Sequence, residues 1–210
     1  MNNNGGPIRI MVVDDHPVVR FGLVAMLGAQ PDFVVVAQAS TGEEAIALFR
    51  QHQPDVCLMD LRLPELGGAE AIRLIRKEFP NSVFIVLTTF HGDEDIHRAM
   101  SAGARSYLLK GMPHDELLDA VRKVHAGRQY LPSAVRQSLA NRTPGSNLSA
   151  REAEILGLIV KGLTNKEIAA ELHITVGTVK WHLNSLFARL NVADRTQAAV
   201  AALYRGIVEL

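Results

Sequence analysis

Five polar residues, each at the end of an apolar run, stand out for the chemistry their types allow. Asp14 and Asp15 follow IRIMVV, Asp60 follows VCLM, Thr88 ends FIVLT, and Lys110 follows SYLL. Adjacent like charges repel, so the Asp14 and Asp15 pair calls for a cation that the neighbouring sequence does not supply. Carboxylate oxygens are hard ligands suited to Mg²⁺, and a bound metal would offset that repulsion. Any such centre requires that residues far apart in the chain converge at one place.

The elements between them provide the means. From Ile8 to Gly127, apolar runs alternate with amphipathic stretches. IRIMVV precedes a helix starting at Pro17, DFVVVAQA precedes GEEAIALFRQH, and DVCLMD precedes GAEAIRLIRKEF. SVFIVLTT then precedes DEDIHRAMSAG, and SYLLK precedes PHDELLDAVRKVHAG. Continuous Val/Ile/Leu runs are strands buried on both faces, so the sheet is expected to be parallel with helices on each side. Right-handed crossovers make it doubly wound. The site of such a sheet lies beyond the carboxyl ends of its strands, where these polar residues stand.

Composition sets the frame. With 210 residues and 48% hydrophobic content the chain can bury a core in one or two domains. No apolar run approaches the roughly 18 residues that span a bilayer, and MNNNGGP lacks the features of a signal peptide, so no membrane role is expected and the cytoplasm is the expected compartment. The single cysteine, Cys57, lies inside an apolar run and reads as a buried, inert thiol. Net charge is zero, yet 12 Lys/Arg oppose 16 Asp/Glu through Gly127, and 10 oppose 6 from Arg128 onward. An acidic module joined to a basic one points to a polyanionic partner for the second.

After Gly127 the pattern changes. RQYLPSAVRQSLANRTPGSN holds one short helical stretch and then a Pro/Gly/Ser/Asn cluster, which reads as a partly helical linker over 128–147. Residues 148–210 read as helical. Ser149 with Glu152 and Thr164 with Glu167 fit capping boxes, Thr175 is a third N-cap candidate, and Asp194 with Gln197 suggests a fourth. TNKEIAAELHI and TVGTVKWHLNSLFARL, joined by a tight turn, have the form of a helix-turn-helix. On the second of these, Val176, Val179, Leu183, Leu186, Phe187 and Leu190 share one side and are expected in the core. Gly177, Trp181, Asn184 and Ala188 fall opposite, flanked by Lys180 and Thr178. An outward tryptophan between a lysine and the next turn's asparagine has a large apolar area that calls for a partner.

Residues 8–127 resemble the receiver domain of two-component response regulators. The resemblance is carried by Asp14 and Asp15, the Asp-x-x-x-Pro run of Asp60 and Pro64 with Gly68 following, Thr88, and Lys110 with Tyr107 three residues before it. It implies a flavodoxin-like fold in which Asp60 accepts a phosphoryl group from a cognate histidine kinase. Asp15, Asp60 and the backbone carbonyl of Arg62 would bind Mg²⁺, with Asp14 holding it through water. Lys110 would pair with the phosphoryl oxygens, Thr88 would hydrogen-bond to them, and Thr88 with Tyr107 would act as the switch that promotes a homodimer. Arg62 and Phe90 would overhang the acyl phosphate. These residue types suit the chemistry, since a carboxylate is a competent nucleophile for phosphoryl transfer and Lys110 can neutralise charge on the equatorial oxygens.

Residues 148–210 resemble the four-helix DNA-binding domain of the LuxR type, through Arg151, Glu152, Gly162, the run Asn165 to Ala169, Thr178 to Lys180, His182, Leu190 and Arg195 among others. The whole chain therefore resembles a NarL/FixJ-family response regulator, an α/β receiver with a five-stranded parallel sheet followed by an all-α helix-turn-helix domain. That resemblance implies a recognition helix in the major groove of double-stranded DNA, with Lys180, Trp181 and Asn184 nearest the bases. Thr164, Asn165, Lys166, Thr175, Thr178 and Arg189 are the implied phosphate contacts, and RNA polymerase is a further candidate partner.

Two rivals are weaker. A Mg²⁺-dependent phosphohydrolase with an aspartyl nucleophile would use the same acids but needs a substrate pocket, and no segment is left to build one. A DNA-binding protein without phosphorylation would have no use for the full set of acids, Thr88 and Lys110. Gly67 and Gly111 depart from the residues usual in receivers, and both fall in loops near the site.

Overall fold

A computed structural model describes residues 6–89, 92–140 and 148–208. The chain divides into two compact units, the first including residues 6–89 and 96–136 and the second residues 137–140 and 148–208. Among the described residues no helix is long and apolar enough to cross a membrane.

The first unit alternates strand and helix: β1 (Ile8–Val13), α1 (Pro17–Gly28), β2 (Phe33–Ala39), α2 (Gly42–His52), β3 (Val56–Met59), α3 (Gly68–Glu78), β4 (Phe84–Thr88), α4 (Asp93–Ala102), β5 (Ser106–Leu109) and α5 (His114–His125). The strands form one parallel sheet in the order β2-β1-β3-β4-β5. Alternate strand residues face opposite sides. Ile10, Val12, Leu58, Ile85, Leu87 and Leu108 pack with Leu27 of α1 and with Leu117, Val121 and Val124 of α5. Their neighbours Met11, Val13, Cys57, Met59, Phe84 and Val86 are equally buried, and Phe49 of α2 stacks on Phe84 with ring centroids 5.6 Å apart. Both faces are covered, as the continuous apolar strands require. Cys57 is fully buried, and that burial pushes its thiol well above the ordinary range, away from the reactive thiolate.

The segment that reads as linker begins by packing on this unit. Ser106 and Tyr130 form a parallel bridge beyond β5, with the Ser106 hydroxyl donating to the Tyr130 carbonyl at 2.6 Å. Tyr130 also donates its hydroxyl to Glu116. Helix α6 (Ser133–Ala140) follows, with Val135 buried; residues 141–147 lie outside the described residues.

The second unit consists of α7 (Ala150–Val160), α8 (Asn165–Glu171), α9 (Val176–Leu190) and α10 (Arg195–Tyr204). Each start carries its own side-chain cap. Ser149 and Thr164 complete capping boxes with Glu152 and Glu167, Thr175 accepts from the Thr178 N–H, and Asp194 accepts from the Gln197 N–H. Caps of this kind stabilise a helix by about 1 kcal/mol each. Gly162, at φ +84, occupies the left-handed region that ends α7 and lets the chain turn into α8. The helices are short and hold together by packing: Ile155, Ile159, Ile168, Val179 and Leu183 form one cluster, and Leu156, Leu186, Leu190, Ala198 and Ala202 another.

Candidate functional site

The register of the sheet explains the first constellation. Val13 pairs with Met59 and Thr88 with Leu109, so the residues one step beyond β1, β3 and β5 emerge side by side. The Asp60 N–H donates to the Val13 carbonyl at 2.9 Å, and the Lys110 N–H to the Thr88 carbonyl at 2.9 Å. Lys110 Nζ then lies 2.7 Å from Asp14 Oδ2 and 2.6 Å from Asp60 Oδ2. Asp14, Asp60 and Thr88 are buried, at 1, 2 and 0% exposure, whereas the Asp15 side chain is 34% exposed. Sequence positions far apart thus meet at one edge of the sheet.

The environment tunes both partners. Burial pushes the Asp60 carboxyl up, more than the hydrogen bond from Lys110, its charge and the Arg62 N–H pull it down, and the Asp14 charge adds to the rise. Burial pulls the Lys110 ammonium down, but the hydrogen bonds to Asp14 and Asp60 outweigh it, and the net direction is up. Lys110 thus places one ammonium between two buried carboxyl groups, and its pull on Asp60 opposes the rise that burial causes.

Asp14, Asp15, His16 and Asp60 each bring a ligand atom within 4.8 Å of the others. Three carboxylates meet one ammonium there, an excess of negative charge around hard oxygen donors, and this donor set fits a divalent cation such as Mg²⁺. Two neighbours complete the local order: His16, whose place beside the acid pair reads in the sequence as a local structural role rather than a metal ligand, and Arg20, which the sequence does not single out. His16 occupies the N-cap position of α1 without a side-chain cap, donates its backbone N–H to Asp14 Oδ1 at 2.9 Å and brings Nδ1 to 2.6 Å from Asp15 Oδ1. Arg20 Nη1 donates to the Asp14 carbonyl at 2.5 Å. An i to i+6 contact around a helix start leaves no periodic trace in a sequence.

The loop after β3 is shaped by a glycine. A Cβ on Gly68 would sit 1.9 Å from the Asp60 carbonyl oxygen, so only glycine lets the start of α3 come this close to the phosphoacceptor candidate. Gly67 and Gly111 are different. A Cβ at Gly67 would make an ordinary 3.6 Å contact and one at Gly111 would meet nothing within 4 Å. Their departure from the usual receiver residues answers no backbone demand. Tyr107 is fully buried on β5, one strand over from Thr88. Arg62 donates its N–H to Asp60 Oδ1 at 3.3 Å, and Phe90 lies outside the described residues.

The second constellation lies on α8 and α9. Val179, Leu183, Leu186 and Leu190 are buried, while Gly177, Lys180, Trp181, Asn184 and Ala188 are exposed, Trp181 at 67%. Trp181 meets His182 edge-on at 4.8 Å between ring centroids. The expected phosphate contacts divide into two groups. Lys166 is exposed on α8. Thr164 and Thr175 spend their hydroxyls on caps, Thr178 lies 2.9 Å from the Thr175 hydroxyl, and Asn165 Oδ1 accepts from Arg195 at 3.2 Å. Arg189 has a partner that sequence reasoning missed, with its Nε 3.3 Å from Oε1 of the buried Glu152.

Comparison with known proteins agrees with both halves. The family described as response regulator receiver domain matches residues 10–122, and the family described as bacterial regulatory proteins, luxR family, matches residues 146–202. The chain is 45% identical over 203 residues to the transcriptional regulatory protein LiaR of Bacillus subtilis (strain 168), covering 93% of this chain and 96% of that one. It is 39% identical over 207 residues to the response regulator protein VraR of Staphylococcus aureus, covering 96% and 99%. Among solved structures, the response regulator ChrA of a heme-sensing two-component system superposes with a TM-score of 0.58 at 39% identity, covering 96% and 99%. A doubly wound receiver with its acids at the strand ends, followed by a capped helix-turn-helix, thus comes with relatives along its whole length, and the chain belongs to the NarL/FixJ family of two-component response regulators, DNA-binding transcription regulators of the LuxR type.

Proposed function

We propose that this regulator is switched by phosphorylation of Asp60 by a partner histidine kinase in the cytoplasm, and that the phosphorylated form dimerises and binds a specific DNA operator. The observation that carries the proposal is the single ammonium of Lys110 held between the buried carboxylates of Asp14 and Asp60. A structural salt bridge needs one carboxylate. Two, placed beside a third at the strand ends, leave the negative charge that a divalent metal takes up.

In this mechanism an Asp60 carboxylate oxygen attacks the phosphorus of a phosphohistidine, the P–N bond breaks as the P–O bond forms, and the imidazole leaves. Asp14, Asp15, Asp60 and the Arg62 carbonyl would hold Mg²⁺, which when bound neutralises charge on the transferring phosphoryl group. Lys110 moves its ammonium from the carboxylates to a phosphoryl oxygen, and the Thr88 hydroxyl turns to another. That turn opens space beside Tyr107, which is buried in the present state. Two arrangements of Thr88 and Tyr107 are the bistable element that phosphorylation biases. Lys180, Trp181 and Asn184 read base edges, Lys166 with the N-terminal ends of α8 and α9 meets phosphates, and RNA polymerase is the downstream partner. Domain limits of 8–127 and 148–210 with a linker between them suit this division of labour.

The test is labelling by a small phosphodonor with Mg²⁺, located by mass spectrometry of peptides. Label on Asp60 supports the proposal; full labelling of an Asp60→Ala protein at another residue overturns it.

A further inference from the structure

Glu152 is a buried carboxylate, 3% exposed, that divides its oxygens between two helices. Oε2 accepts from the Ser149 N–H at 2.7 Å and from the Ser149 hydroxyl at 2.8 Å, closing the cap of α7. Oε1 faces the other way, accepts from the Ser185 hydroxyl at 2.6 Å and lies 3.3 Å from Arg189 Nε. Burial pushes this carboxyl up, and the bonds from Ser185 and Ser149 with the nearby Arg189 charge more than reverse it, so the group stays ionised. A capping box needs only the first oxygen.

The second oxygen engages α9. Ser185 and Arg189 are one turn apart and share a strip of that helix. The strip lies between the buried side of Leu183, Leu186 and Leu190 and the exposed side of Trp181, Asn184 and Ala188. Apolar packing is non-directional and tolerates a small roll of a helix, whereas a directed, charge-assisted hydrogen bond from Ser185 joined by an ion pair to Arg189 one turn on does not. The geometry is demanding, because a roll of about 10° at an outer radius of about 5 to 6 Å moves side-chain tips by about 1 Å. That displacement breaks a base-edge hydrogen bond.

We propose that Glu152 is a positioning residue for sequence recognition: its Oε1 fixes the rotation of α9 about its own axis, and so where Lys180, Trp181 and Asn184 meet the bases. Arg189 belongs to this lock and is not a phosphate contact. The inference rests on α9 being the DNA-recognition helix. If Glu152 only capped α7, its loss would lower stability and leave base preference unchanged.

The experiment uses the full chain. Wild-type protein, treated with a small phosphodonor and Mg²⁺ as are all the variants, first selects an operator from random-sequence duplexes; failure to select any sequence with or without that treatment overturns the DNA-recognition reading and this inference with it. Glu152→Ala, Glu152→Gln, Ser185→Ala and Arg189→Ala are then titrated against the operator, its single-base variants and random DNA over a salt series, with hydrogen exchange of peptides from α7 and α9 in the free protein reporting that the second unit is folded. Ser185→Ala leaves the α7 cap intact, so it decides the matter even if Glu152→Ala does not fold. Ser185→Ala and Arg189→Ala are expected to lose about tenfold in operator-over-random preference, with an unchanged salt slope and the loss spread over the base pairs read by α9. Glu152→Gln, which can still cap α7 and hydrogen-bond Ser185, is expected to recover part of the preference lost in Glu152→Ala. Wild-type preference in Ser185→Ala overturns the proposal. So does an equal weakening by Arg189→Ala on operator and random DNA with a salt slope shallower by about one, the mark of a lost phosphate contact.

Discussion

Replacing Lys110 by Met keeps an unbranched side chain of similar length and removes the charge shared by Asp14 and Asp60. At Nζ–O distances of 2.7 and 2.6 Å both contacts are direct, and the three side chains are 9, 1 and 2% exposed, so solvent screens little. At an effective dielectric constant of about 20 each contact represents about 6 kcal/mol of attraction before desolvation is counted. Much of that offsets the cost of burying the ions, and removing one partner of such a group typically costs about 3 to 5 kcal/mol. We expect Lys110→Met to destabilise the first unit by about 3 kcal/mol at pH 7.

The pH dependence follows from the direction of the shifts. The folded Asp60 carboxyl already lies above its ordinary value, so the folded state binds this proton more tightly than the unfolded chain, and stability falls as pH rises through that interval. Losing Lys110 removes the strongest downward pull and raises the folded value further. The variant's deficit is therefore largest near neutrality and shrinks toward acid pH, as the raised carboxyl takes up its proton. Lys110 itself is held above its ordinary value, so its own titration lies far above this window. Trp181, the only tryptophan, sits on α9 and does not report on the first unit. Hydrogen exchange of peptides from β1 and β3, corrected for intrinsic rates, is the suitable assay. Wild-type protection in the variant at pH 7, or an equal loss at acid pH, would refute the shared ammonium of Lys110.

Four further outcomes are expected. Cys57→Ser should leave Asp60 labelling by a phosphodonor intact, since the thiol is buried and held protonated; loss of labelling in a folded protein would contradict its inert role. Gly68→Ala should cost at least about 2 kcal/mol through backbone collision and impair labelling, while Gly67→Ala, measured by the same denaturant titration, stays near wild type. Phosphorylation should raise the mass seen by sedimentation, and an unchanged mass would count against dimerisation. Trp181→Ala should lose about 1 to 3 kcal/mol of operator binding concentrated at one base pair, and a loss shared by all sequences would rule out base contact.

How much of this was legible in the sequence depends on how each contact is generated. Lys110 and Asp60 are 50 residues apart, yet their meeting could be anticipated. Each stands one step past the end of an apolar strand, and a parallel doubly wound sheet brings such positions to one edge whatever the intervening residues are. The helix starts were equally visible, because a cap is a local matter of two residues three apart. Arg20 on the Asp14 carbonyl and Tyr130 on β5 were not visible, since neither contact follows from a repeat or from topology.

Glu152 marks the boundary between the two cases. One of its oxygens serves a three-residue motif and is predictable from Ser149 alone; the other serves Ser185, 33 residues away. That second contact depends on how far α9 is rotated, a quantity that an apolar stripe defines only to within the width of the stripe, more than 100°. Outward placement of Trp181 follows from the stripe. Its placement to within an ångström requires a directional contact, and the residues that supply it sit at the margins of the stripe, where helical periodicity carries least information. Fine specificity in a short recognition helix is therefore expected to depend on marginal polar residues such as Ser185 and Arg189 as much as on those that touch the bases.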